Sequence, residues 1–106
     1  MIKTIAIQGT GLKGYVNITY DEIVSKLGKE HFGASGDNKM LAEWSFKFDD
    51  GTVATLYNYK NGKNYDSVDG LDLEDITEWN IGGNSKLAVY HLGKALGTLD
   101  TKLATW

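Results

Sequence analysis

The stretch from Leu41 to Lys60, LAEWSFKFDDGTVATLYNYK, can bury one face only as a β-hairpin. Ala42, Trp44, Phe46 and Phe48 alternate with Glu43, Ser45 and Lys47; Asp50-Gly51 is a turn pair; Val53, Thr55, Tyr57 and Tyr59 resume the alternation. With Asp50 and Gly51 as the two turn residues, Phe48 faces Val53, Phe46 faces Thr55 and Trp44 faces Tyr57. That register predicts a single aromatic face packed against helices.

The remaining elements follow from shorter patterns. KTIAIQG (3–9) and YVNIT (15–19) alternate and read as two strands, with the glycine-rich link 9–14 reversing the chain between them as a hairpin. Thr19 and Glu22 form a capping box for a helix over 20–28, in which Ile23, Val24 and Leu27 share one side. Residues 29–39 read as a loop, and Asn61-Gly62 opens a second turn. A fifth strand covers 75–81 and is ended by Gly82-Gly83. Asn84 then caps a helix carrying Leu87, Ala88, Leu92, Ala95 and Leu96, which Gly97 stops. The order ββαβββα predicts one α+β domain over residues 1–106, a mainly antiparallel sheet of about five strands with two helices on one face, and a loosely packed tail at 98–106.

Composition narrows the partners. All eleven basic residues are lysine, so the planar fork that reads guanine or clamps phosphate is missing, and the net charge of −3 opposes direct binding of nucleic acid. There is no cysteine, hence no thiolate metal site and no cysteine nucleophile. Apolar runs are far too short to span a bilayer, and Met1-Ile2-Lys3 opens no signal-peptide pattern, so a cytoplasmic protein without membrane contact is expected.

Charge is segregated along the chain. Residues 66–78 hold Asp66, Asp69, Asp72, Glu74, Asp75 and Glu78 and no lysine, which leaves the rest of the chain net positive. An EF-hand with Gly70 at its sixth position would place Tyr65, Ser67 and Asp69 at its first, third and fifth, so the register fails for calcium, and no metal is expected. The segment reads instead as a partner-binding surface: Asp66, Asp69, Asp72 and Glu74 with Tyr59 and Tyr65 beside them, complementary to a basic groove on another protein. The alternative site is Gly82, Gly83, Asn84, Ser85 and Lys86, where a strand ends and a helix N-terminus with a lysine could receive a nucleotide or signalling phosphate. Gly9-x-Gly11-x-x-Gly14 has the spacing of a dinucleotide fingerprint, but the strand-like YVNIT follows where a helix is needed, so no cofactor is expected. His31 and His91 are the histidines open to acid-base work; no serine or carboxylate partner is marked for either, and a non-catalytic protein is the reading.

The segments AEWSFKFDDGTVATLYNYK (42–60) and ITEWNIGGNSKLAVYHLGKAL (76–96) resemble small, uncharacterised accessory proteins encoded by bacteriophages, in which a strand hairpin precedes a tryptophan-bearing strand-to-helix turn. The resemblance covers about two fifths of the chain, which is a pattern without a catalytic motif. It implies a counter-defence inhibitor of the size class of anti-CRISPRs, acting in the host cytoplasm on a host protein such as a nucleic-acid-binding defence complex. The sequence leaves self-association open.

Overall fold

A computed structural model describes residues 2–4, 10–33, 41–58 and 72–104. They form a six-stranded sheet in which every neighbouring pair is antiparallel: β1 (Ile2–Lys3), β2 (Gly11–Asn17), β3 (Glu43–Lys47), β4 (Val53–Tyr57), β5 (Glu78–Gly83) and β6 (Thr101–Leu103), in the spatial order β1-β3-β4-β5-β2-β6. Helices α1 (Tyr20–Leu27) and α2 (Leu87–Leu96) pack against the sheet and each other, so the α+β class and the shared helical face are as expected. The sheet has a sixth strand where five were expected.

The hairpin forms, one residue out of the expected register. Phe48 N–H donates to the Thr52 carbonyl at 2.8 Å and Gly51 N–H to the Phe48 carbonyl at 3.0 Å, so the turn has three residues, Asp49-Asp50-Gly51, with Gly51 at φ 88°. A left-handed glycine closing such a turn is the bulged alternative to a two-residue loop. Trp44 consequently faces Leu56 and Phe46 faces Ala54, while Val53, Thr55 and Tyr57 pass to the opposite face with Lys47, Ser45 and Glu43. The expected single aromatic face is therefore divided.

Four further corrections share one cause: pairing with distant strands overrides local signals. Ile2–Lys3 pairs with β3, not with the strand that follows it, so the expected N-terminal hairpin is absent from the described residues; Ile5 and Ile7 lie outside them. Gly11–Gly14, expected within a chain-reversing link, lies inside β2, with a register shift between Leu12 and Gly14; the strand through Tyr15–Asn17 is as expected. Gly82 and Gly83 lie inside β5, which begins at Glu78 after a single 3-10 turn at Leu73–Asp75. The tail contributes β6, paired with β2 from Val16–Thr101 to Gly14–Leu103.

The core lies between sheet and helices. Trp44, Trp79, Leu56, Ile81 and Val16 from the strands meet Ile23 of α1 and Ala88, Val89, Leu92 and Leu96 of α2. Trp44 and Trp79 are fully buried, edge to face at 5.7 Å, with Tyr20 beside both. The Thr19 capping box forms as expected: Thr19 Oγ1 accepts from Glu22 N–H at 3.2 Å, and the Glu22 carboxylate accepts from Thr19 N–H at 3.4 Å.

Candidate functional site

Strand direction sorts charge to the two ends of the sheet. Asn17 at the end of β2 pairs with Glu78 at the start of β5, and its side-chain amide donates to Asp100 just before β6 at 3.1 Å. Ile18 N–H donates to the Thr77 carbonyl, which sets the start of α1, with Asp21 and Glu22, at the same end. The 3-10 turn adds Glu74 and Asp75 and packs on α1. Asp21, Glu74, Asp75 and Glu78 are exposed, and no lysine among the described residues pairs with them. At the opposite end stand Lys13, Lys47 and Lys86, beside the hairpin acids Asp49 and Asp50.

Tyr20 records how closely the acids converge. Its hydroxyl donates to Glu30 Oε1 at 2.7 Å, and its pKa is pushed up to about 12 by burial, by that carboxylate, and by the negative charges of Glu74 and Asp21. Burial and the neighbouring negative charges both disfavour the phenolate. Asp72 and Glu74, two of the six residues expected to bind a partner, are both exposed in this region; Tyr59, Tyr65, Asp66 and Asp69 lie outside the described residues.

The Gly82–Lys86 segment has a different task in the structure. A Cβ on Gly83 would lie 2.5 Å from the Val53 carbonyl oxygen and 2.6 Å from the Ala88 Cβ, so glycine here lets α2 approach the sheet. Asn84 does not cap the helix. Its Oδ1 accepts from Val53 N–H at 2.9 Å and its amide donates to the Gly51 carbonyl at 3.3 Å, which fastens the hairpin to the strand-helix junction. Ser85 Oγ accepts from Leu87 N–H at 3.2 Å, and the Ser85 and Lys86 carbonyls accept from Ala88 and Val89 N–H. The first helical donors are thereby taken up internally. Of the three side chains, the Lys86 ammonium is the one without a partner among the described residues. Asn84 and Ser85 line a hollow of about 250 Å³ together with Asp50, whose pKa is lowered to about 2 by the Thr52 N–H and by His91. An anion there meets a carboxylate.

Both histidines are engaged. His91 stacks on Phe48 at 4.4 Å and contacts Asp50 Oδ2 through Nε2 at 2.8 Å, joining α2 to the hairpin tip. His31 completes the edge of β3: Phe32 bridges Glu43, β1 covers Phe46 and Lys47, and between them His31 Nδ1 accepts from Ser45 N–H at 3.0 Å. Only unprotonated Nδ1 can accept this bond, and burial followed by the charge of Lys3 lowers the His31 pKa. The neutral ring's contribution is complete above the ordinary histidine value of about 6.5 and is lost as pH falls from there toward the lowered native value. The thermal midpoint of the wild type is therefore expected to decline as pH falls below about 6.5. His31→Asn, which keeps an acceptor but does not titrate, is expected to remove that part of the decline in a melting series across the same pH range.

The sheet face away from the helices carries Tyr57, which was expected on the helix-packed aromatic face, among residues for which the sequence suggested no role. Glu43, Tyr57, Asn80, Tyr15 and Lys102 form one row across five strands, with the Lys102 ammonium 5.3 Å from the Tyr15 ring centre. Glu43 is buried, accepts from Ser45 Oγ at 3.3 Å, and burial raises its pKa. The signal available for it was the polar half of the Trp44–Phe46 alternation. Among the described residues, no group of histidines and carboxylates could hold a metal ion, and no helix is long and apolar enough to cross a membrane. Comparison with family models, curated proteins and solved structures gives no match.

Proposed function

We propose that the chain is a non-catalytic binding protein whose acidic end occupies a basic surface on a host protein. The observation that carries this reading is the gathering of Asp21, Glu74, Asp75, Glu78 and Asp100 from separate segments at one end of the sheet, while the other end mixes Lys13, Lys47 and Lys86 with Asp49 and Asp50. A charge distribution of this kind orients the molecule toward a positive groove and accelerates encounter. The resemblance to phage accessory proteins makes a defence nuclease complex the favoured target, because a nucleic-acid channel is such a groove. The expected mode of action is occlusion of that channel.

Affinity purification of the tagged chain from a bacterial lysate at low and high salt tests this. A protein partner retained at about 50 mM salt and released at about 500 mM is expected, since exposed charges are screened over a few ångströms at the higher value. Asp21→Lys, Glu74→Lys and Glu78→Lys combined are expected to weaken that complex by about a hundredfold, at a few tenfold steps for rim charges taken together. Undiminished binding by the triple variant overturns the proposed contact.

A further inference from the structure

We infer that β6 is a self-association edge, through which two copies of the chain pair by a two-fold axis at Thr101. Among the described residues nothing pairs with the outer edge of β6. Asn17 N–H donates to the Asp100 carbonyl and Ala104 N–H to the Lys13 carbonyl, so the even residues turn their backbone groups toward β2 and Thr101 and Leu103 turn theirs outward. Beside this edge lies a groove of about 550 Å³ lined by Val89, Tyr90, Gly93, Lys94 and Leu99. Leu99 is 100% exposed, Tyr90 57% and Leu103 49%.

The sequence of the edge, Leu99-Asp100-Thr101-Lys102-Leu103, is complementary to its own reverse. Antiparallel pairing about Thr101 sets Leu99 opposite Leu103 twice on the helix side, next to the groove, and Asp100 opposite Lys102 twice on the other face. Sliding the pair by two residues either way sets Asp100 against Asp100 or Lys102 against Lys102. Charge therefore selects the symmetric register. The Thr101 N–H is held by the Leu99 carbonyl at 2.9 Å and exchanges that local bond for one across the axis. Such an isologous contact closes on itself and covers an edge that would otherwise recruit other strands.

Sedimentation equilibrium of the full chain is expected to show a monomer–dimer equilibrium with a dissociation constant of roughly 10–100 μM, as suits a small interface. Asp100→Lys, which faces Lys102 with a second lysine, is expected to weaken the dimer about tenfold, and adding Lys102→Asp to the same chain is expected to restore it. Leu99→Asp tests the apolar half without touching the monomer, since that side chain is fully exposed; it is expected to abolish dimers while leaving the monomer's melting temperature unchanged. A wild type that is monomeric at 1 mM, a dimer indifferent to Leu99→Asp, or a charge swap that fails to restore association overturns the inference.

Discussion

Trp79→Ala is expected to lower the unfolding free energy by about 4 kcal/mol, a large part of what a domain of this size possesses. The side chain is fully buried against Trp44 and Tyr20, where β5, β3 and α1 meet, so its removal leaves a cavity among three elements. A finer expectation concerns the two indoles. Trp44 Nε1 donates to the Gly28 carbonyl at 2.9 Å and so ties β3 to the end of α1, whereas Trp79 Nε1 is buried with no hydrogen-bond partner. Both Trp→Phe variants lose similar volume, but only Trp44→Phe strands a carbonyl. Trp44→Phe is expected to cost about 1 kcal/mol more than Trp79→Phe in urea unfolding. Equal losses would mean that the Gly28 bond contributes nothing net.

Gly14→Ala is expected to cost about 3 kcal/mol, because one added carbon has nowhere to go. A Cβ at this position would lie 2.3 Å from the Lys102 carbonyl oxygen and 2.8 Å from Val89 Cγ2, pressing on β6 and α2 together. Gly11, in the same strand, has open space around it, and Gly11→Ala is expected to be neutral or slightly stabilising, by about 0.5 kcal/mol through the unfolded chain. Paired urea titrations of the two variants separate close packing from backbone freedom. Comparable midpoints would show that β6 yields to the extra carbon at little cost.

The hairpin was legible because its turn pair and alternation are local. Its register was not, since Val53-Ala54-Thr55-Leu56-Tyr57 carries apolar groups at both parities, so either face could be the buried one and a single extra turn residue decides. The capping box and the end of α2 at Gly97 were readable for the same local reason. β1 and β6 were not, because two- and three-residue strands exist only through their partners. Of the acidic surface, the run ending at Glu78 could be seen in the chain. That Asp21 and Asp100 join it depends on β2 lying between β5 and β6, which no local pattern announces. Glu43 alternates with Trp44 as the polar half of the strand and is nonetheless buried, because the second face of β3 is itself partly covered.

The position of β2 between β5 and β6 also orders events in time. It is synthesised before either neighbour, and its partners stand roughly sixty to ninety residues later in the chain. At ribosomal speeds of about 5–20 residues per second that separation is about three to eighteen seconds, whereas the β3–β4 hairpin can close within microseconds of its emergence. During that interval a strand bearing Val16 waits with both edges open. The arrival of residues 78–83 closes one of those edges, and the other stays adhesive until residues 101–103 follow.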